Sequence, residues 1–128
     1  MRITVQVVIE NDGQSESERH EIARLDRGKL DADTVGLQLA EAKQILANMQ
    51  EVIVAEQVSQ CVATRVACPD CGRPRRHKDA RTITLRTAFG RLRLQSPRWH
   101  HCPCQPQPTE TFSPLAEILP ERTTPELL

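Results

Sequence analysis

The chain has 128 residues, a formal net charge of zero, and only three aromatic side chains: Phe89, Trp99 and Phe112. That length suits one ordinary domain or two small ones, but with so few aromatics no part of it promises a large core of its own. No apolar run approaches the roughly 18 residues of a bilayer span, and the run over 3–9 is broken by Gln6 and too short for a secretory signal, so a cytoplasmic chain in a reducing compartment is expected.

In chain order, residues 2–10 alternate, with Ile3, Val5, Val7 and Ile9 on one face, the pattern of a half-buried strand. Asn11, Asp12 and Gly13 signal a turn, and residues 20–25 supply a second strand, with Ala23 and Leu25 or Ile22 facing inward. Gly28 ends this hairpin, and Asp31 or Asp33 is placed to cap the next element. From Gln38 to Thr64 apolar residues recur at three and four, through Leu39, Ala42, Leu46, Met49, Ile53, Val58 and Val62. The spacing predicts one amphipathic helix about 40 Å long. Leu39, Leu46, Met49 and Ile53 are expected to be buried, against the first strand or against a second copy of the chain, since the near-heptad spacing permits a helix–helix seam.

Two cysteine pairs come after the helix, Cys68-Pro69-Asp70-Cys71-Gly72 and His100-His101-Cys102-Pro103-Cys104. Two thiolates two residues apart grip one metal, and a second pair from a distant point closes a four-thiolate site. Zinc on Cys68, Cys71, Cys102 and Cys104 is the reading preferred, with His100 or His101 as substitute ligands for one cysteine of the second pair. The alternatives are a disulfide framework, which leaves Cys61 over, a set of buried free cysteines, and a redox pair at Cys68 and Cys71, which wants a helix opening at the first cysteine. Between the pairs, residues 82–87 and 91–95 alternate about Ala88-Phe89-Gly90 and predict a hairpin.

Residues 1–60 carry eleven acidic and six basic side chains (−5), residues 61–101 two and ten (+8), and residues 102–128 four and one (−3). The positive charge therefore sits on the cysteine-bearing stretch, a footprint expected for polyanion binding. The candidate contacts to duplex DNA are Arg73, Arg75, Arg76 and Lys78 in a basic loop and Arg86, Arg91 and Arg93 on one face of the hairpin. The rival view is that these arginines only protect exposed strand edges. Trp99 is expected to pack against the metal site, with base stacking as an alternative. The proline-rich segment 103–114 reads as an extended, largely unstructured linker. Ser113-Pro114 opens one helical turn that Pro120 stops, and Thr124-Pro125 reads as another helix start.

The fold expected is α+β: a hairpin and long helix over 1–65, a zinc-ribbon-like module over 66–104, and a proline-rich linker over 105–128. The strings CPDCGRPRRHKDARTITLRTAFGRLRLQSPRWHHCPC, TFSPLAEILPERTTPELL and GLQLAEAKQILANMQ resemble the N-terminal portion of ISKra-type insertion-sequence transposases. The resemblance implies an amino-terminal region that recognises transposon-end DNA, with the four cysteines matching the metal motif. It also implies a downstream catalytic domain of RNase H-like fold with an acidic triad and divalent metal, before which this chain stops, so a truncated protein without a catalytic set is expected. Two other classes stand beside it: a zinc-ribbon adaptor that binds protein through the long helix, and a small thiol oxidoreductase using Cys68 and Cys71.

Overall fold

A computed structural model describes residues 1–106 and 110–128; the proline at 108 lies outside the described residues. The alternation at the N-terminus forms β1 (Arg2–Ile9), which returns through Gly13, at a φ of 79°, into β2 (Glu18–Asp26). The two strands are antiparallel, with Val5 opposite Ala23 and Gln6 opposite Glu21, so Ile22 is the extra residue of a β-bulge. The bulge resets the alternation: Ile22 is buried, while Ala23 and Leu25 are half-buried. It also takes the Ile22 carbonyl out of the ladder, and the Asn48 side-chain amide donates to that oxygen at 2.8 Å.

The helix α1 (Leu39–Arg65) begins with a capping box, the Gln38 amide donating to Glu41 Oε1 at 2.9 Å. The same carboxylate pairs with the Arg27 guanidinium, which also donates to the Gly36 carbonyl at 3.0 Å. The chain divides into two compact units, Met1–Ile53 and Val54–Leu128. The last turns of α1 belong with the cysteine-bearing unit, and so does the segment after Cys104.

Each unit takes its own stripe from the helix. In the first, Ala42, Ile45, Met49 and Val52 are half-buried, whereas Leu39, Leu46 and Ile53, expected to be buried, are 71%, 42% and 39% exposed. In the second, Val54 is buried and Val58 and Cys61 pack beside it. The apparent single stripe through Leu39, Leu46 and Ile53 belongs to neither.

In the second unit β3 (His77–Thr87) and β4 (Gly90–His100) form an antiparallel hairpin longer than expected, and β5 (Thr111–Phe112) pairs antiparallel with the far end of β4. The inner face of the hairpin supplies Ile83, Leu85 and Leu94 to a core shared with Val54 and Leu115. The mixed α+β class is as expected, but the segment after Cys104 is a structural part of this unit. Ser113 caps α2 (Pro114–Ile118), its Oγ accepting from the Ala116 amide at 3.4 Å, with Pro114 in the first turn, where its missing N–H costs nothing. Leu115 is only 2% exposed. A core with so few aromatics draws its closing side chains from the tail, which overrides the extended bias of the prolines around it. Beyond Leu119, residues 122–124 run beside the end of β3: the Arg86 amide donates to the Arg122 carbonyl and the Thr124 amide to the Arg86 carbonyl, both at 2.9 Å. The expected start at Thr124-Pro125 is a short 3-10 turn over Pro125–Leu127. Among the described residues no helix is long and apolar enough to cross a membrane.

Candidate metal centre and basic ribbon

The two cysteine pairs converge because of two local turns at the root of the hairpin. After α1 the chain pairs with itself, the Cys68 amide donating to the Arg73 carbonyl and the Gly72 amide to the Cys68 carbonyl, each at 2.9 Å. Gly72 closes this knuckle at a φ of 75°, a conformation that costs other residues about a kcal/mol or more. The second turn comes after β4, where the Gln105 amide donates to the Cys102 carbonyl at 2.9 Å and the Cys102 amide to Gln105 Oε1 at 3.0 Å. Cys68 and Cys102 are buried, Cys71 and Cys104 exposed, and all four are free thiols.

Their four Sγ atoms lie within 4.8 Å of one another, with Cys68 to Cys104 at 3.7 Å and Cys71 to Cys102 at 3.4 Å. A tetrahedron of thiolates about zinc, with bonds of about 2.3 Å, has edges of about 3.8 Å. The donor set therefore fits one tetrahedral metal ion with little adjustment. No histidine joins the group among the described residues: the His101 ring packs 5.2 Å from the Phe112 ring, and His100 lies in register with Thr111. Cys68-Pro69-Asp70-Cys71 is a turn, not the helix start that a redox pair wants.

Burial pushes the Cys68 thiol up, but the amides of Cys71 and Asp70 and the neighbouring thiols of Cys104 and Cys102 bring it down to about 7. Cys104 moves the other way, raised by the sulfurs of Cys102 and Cys71 and by burial. Thiolates crowded this closely repel one another, and a divalent cation among them removes the conflict. The two loops are also tied by side chains. Gln105 accepts from Arg75 Nη1 at 3.2 Å and donates to Asp70 at 3.3 Å, while the Arg75 guanidinium lies 4.6 Å above the Phe112 ring.

That network sets Arg75 apart from the other cations expected to meet DNA. It is half-buried and engaged in joining the cysteine loops, whereas Arg73, Arg76, Lys78, Arg86, Arg91 and Arg93 are exposed. Three of these lie together. The outer face of the hairpin presents Thr82, Thr84 and Arg86 from β3 against Gln95, Arg93 and Arg91 from β4, with Arg86 directly opposite Arg91. Arg86 Nε donates to Thr123 at 3.1 Å. Among the described residues none of these three arginines has an acidic partner. Trp99 is 5% exposed and meets Phe112 edge to face at 6.3 Å, so it serves packing and offers no face for stacking on a base.

Sequence reasoning passed over Arg122. It sits in the acidic last stretch of the chain and reaches the ribbon only through its carbonyl contact with Arg86, a pairing across 36 residues. Its φ of 50°, alone in the positive range among the described non-glycine residues, marks the sharp turn that brings it there. Comparison of the chain with protein-family models, with curated proteins and with solved structures finds no match.

Proposed function

We propose that the chain is a zinc-stabilised nucleic-acid-binding module, and that its partner is duplex DNA, as its resemblance to the N-terminal portion of ISKra-type transposases implies. In this reading it recognises transposon ends in the cytoplasm as the DNA-binding portion of a transposase. Zinc on Cys68, Cys71, Cys102 and Cys104 is structural, fixing the root of the β3–β4 ribbon. The observation that carries the reading is the pairing of Arg86 with Arg91 on an outer face that also bears Arg93 and, among the described residues, has no acidic partner. Like charges directly opposite in a sheet destabilise it unless an external anion neutralises them, and a phosphate backbone does so. A two-stranded ribbon is also of a width that the major groove admits.

One observation favours the adaptor reading instead: Leu39, Leu46 and Ile53 recur every seven residues and stay exposed, a seam suited to a protein partner or a second copy.

A salt titration separates the two. If about four cations engage phosphates, the log–log slope of the binding constant against salt is roughly −3 to −4. Replacing Arg86, Arg91 and Arg93 by Ala flattens it by up to about 3 while metal analysis still finds one zinc per chain. No binding at low salt, or an unchanged slope in the triple variant, favours the adaptor.

A further inference from the structure

The tip of the β3–β4 ribbon carries a feature that phosphate binding does not use. Its two-residue turn is Ala88-Phe89, closed by the pair Thr87 and Gly90. Ala88 and Phe89 both keep negative φ, and Gly90 absorbs the closing twist at a φ of 121°. The Thr87 side chain, buried although polar, staples this turn: its hydroxyl donates to the Gly90 carbonyl at 2.8 Å and accepts from the Phe89 amide at 3.1 Å. The backbone of Phe89 is thus held in place. Its ring, one of only three aromatic side chains in a chain short of core, is nevertheless 45% exposed. Trp99 and Phe112, by contrast, are packed against each other.

Arginines flank this turn in the ribbon. Arg86 and Arg91 stand on either side of the turn, Arg93 lies one step further along the same face, and Arg122 joins the end of β3 through its carbonyl. None of the four has an acidic partner among the described residues. An exposed aromatic side chain on a stapled turn, at the end of a strand face that carries arginines without acidic partners, matches what a nucleic acid offers at one step of its chain: a base with a π face and the phosphates on either side of it.

We infer that Phe89 is a base-stacking residue, which places its ring against an unstacked base while Arg86, Arg91, Arg93 and Arg122 hold the neighbouring phosphates. This rests on the nucleic-acid reading above and names the part of the ligand that the ribbon tip takes. The base comes either from a single strand or from a duplex opened at one step; the stacking chemistry is the same.

The test uses the full chain with its zinc, and measures binding to a duplex and to a single strand of the same sequence by fluorescence anisotropy. Phe89→Ala weakens binding about 5- to 150-fold on the form that offers the base, the range found for loss of one base–aromatic stack. The salt slope stays as in the wild type, because no cation is lost. Phe89→Trp restores affinity, and its fluorescence, measured against the Trp99 background, is quenched on binding; Phe89→Leu, apolar without a π face, does not restore it. Thermal unfolding and zinc content of the variants match the wild type. Wild-type affinity in Phe89→Ala, or full rescue by Phe89→Leu, overturns the inference and leaves the nucleic-acid reading standing. A wild-type protein that binds neither form at low salt removes both. Loss of capture of a protein partner by Phe89→Ala, with nucleic-acid affinity unchanged, assigns the ring to protein docking instead.

Discussion

The molecule contains two antiparallel hairpins that treat charge in opposite ways. On β1–β2 most of the charged side chains answer one another: Arg2 lies 3.7 Å from Asp26, Arg24 pairs with Glu21, and His20 lies 3.4 Å from Glu18. On the outer face of β3–β4, Arg86 faces Arg91 and Arg93 faces Thr84, with no carboxylate among the described residues to meet them. The one ion pair on that hairpin, Asp79 with Arg98, lies at its root, Arg98 Nε donating to Asp79 at 2.6 Å. The difference teaches that a shared architecture does not carry a shared role. Among the described residues Arg19 is the one arginine of the first hairpin without an ion pair, while the outer face of the second presents three such arginines together. The two also differ in what anchors them: β1–β2 leans on one helix stripe, whereas β3–β4 has four cysteines at its root and Leu115 beneath it.

The largest way to break that contrast is to remove the metal proposed for the four cysteines. Structural zinc in small modules supplies folding free energy on the order of 10 kcal/mol, comparable with the entire net stability of an ordinary domain. Zinc stripped by a strong chelator, or lost through Cys68→Ser with Cys102→Ser, is expected to abolish amide protection in residues 66–104. The β1–β2 hairpin and the first turns of α1 keep theirs, since no ligand comes from that unit. Cys61→Ala retains one zinc per chain, as Cys61 packs against the core and stands outside the thiol group. Hydrogen exchange with metal analysis checks this; a protein that keeps its β3–β4 protection in chelator has no structural metal.

Next in size is the core. Leu115→Ala removes a side chain that is 2% exposed and is expected to cost about 2–5 kcal/mol, including the cavity left behind. Leu39→Ala, at a position 71% exposed, is expected to change stability by less than about 0.5 kcal/mol in dilute monomer. Denaturant midpoints measure both. A large loss at Leu39 that appears only at high protein concentration would mean that a second copy covers the heptad stripe.

These two leucines also show how much was legible in the sequence. The cysteine pairs, the hairpin turn at 88–90 and the cap at Ser113 rest on local chemistry, and each is where the residues place it, whereas Thr124 precedes its 3-10 turn without a side-chain capping bond. The outer arginine face was legible too, because alternation at period two fixes which side chains share a face. Leu39 misleads because periodicity says which side chains align on a helix, not which aligned set meets a partner. Leu115 was hidden for the opposite reason. Prolines at 103, 106 and 114 are a local argument for an extended linker, whereas the docking of Leu115 under the hairpin is a long-range demand of a poor core. Arg122 has no local signal at all, since its place depends on a strand-end pairing with Arg86. The ambiguity at Ile22 was resolved only by a bulge, which shifts alternation by one residue without leaving a mark in composition.

The smallest effect is the most discriminating, because it has opposite signs for stability and for binding. Arg86 and Arg91 are direct cross-strand partners, and like charges so placed oppose the fold. Arg91→Ala removes the repulsion and is expected to raise the melting temperature of the free protein by about 1–4 °C at low salt. The gain shrinks as salt rises, because exposed charges are screened over about 10 Å at 0.1 M. On the nucleic-acid reading proposed above, the same substitution removes one phosphate contact, so duplex affinity is expected to fall and the salt slope to flatten by about 0.9. Arg24→Ala on β1–β2 provides the control. That arginine is paired with Glu21, so its loss yields no stabilisation and leaves the slope unchanged. If the arginines of β3–β4 served only to guard a strand edge, Arg91→Ala would raise the melting temperature and promote aggregation without touching nucleic-acid affinity. A rise in stability together with a loss of affinity is the outcome that identifies the unpaired charge as held for a ligand.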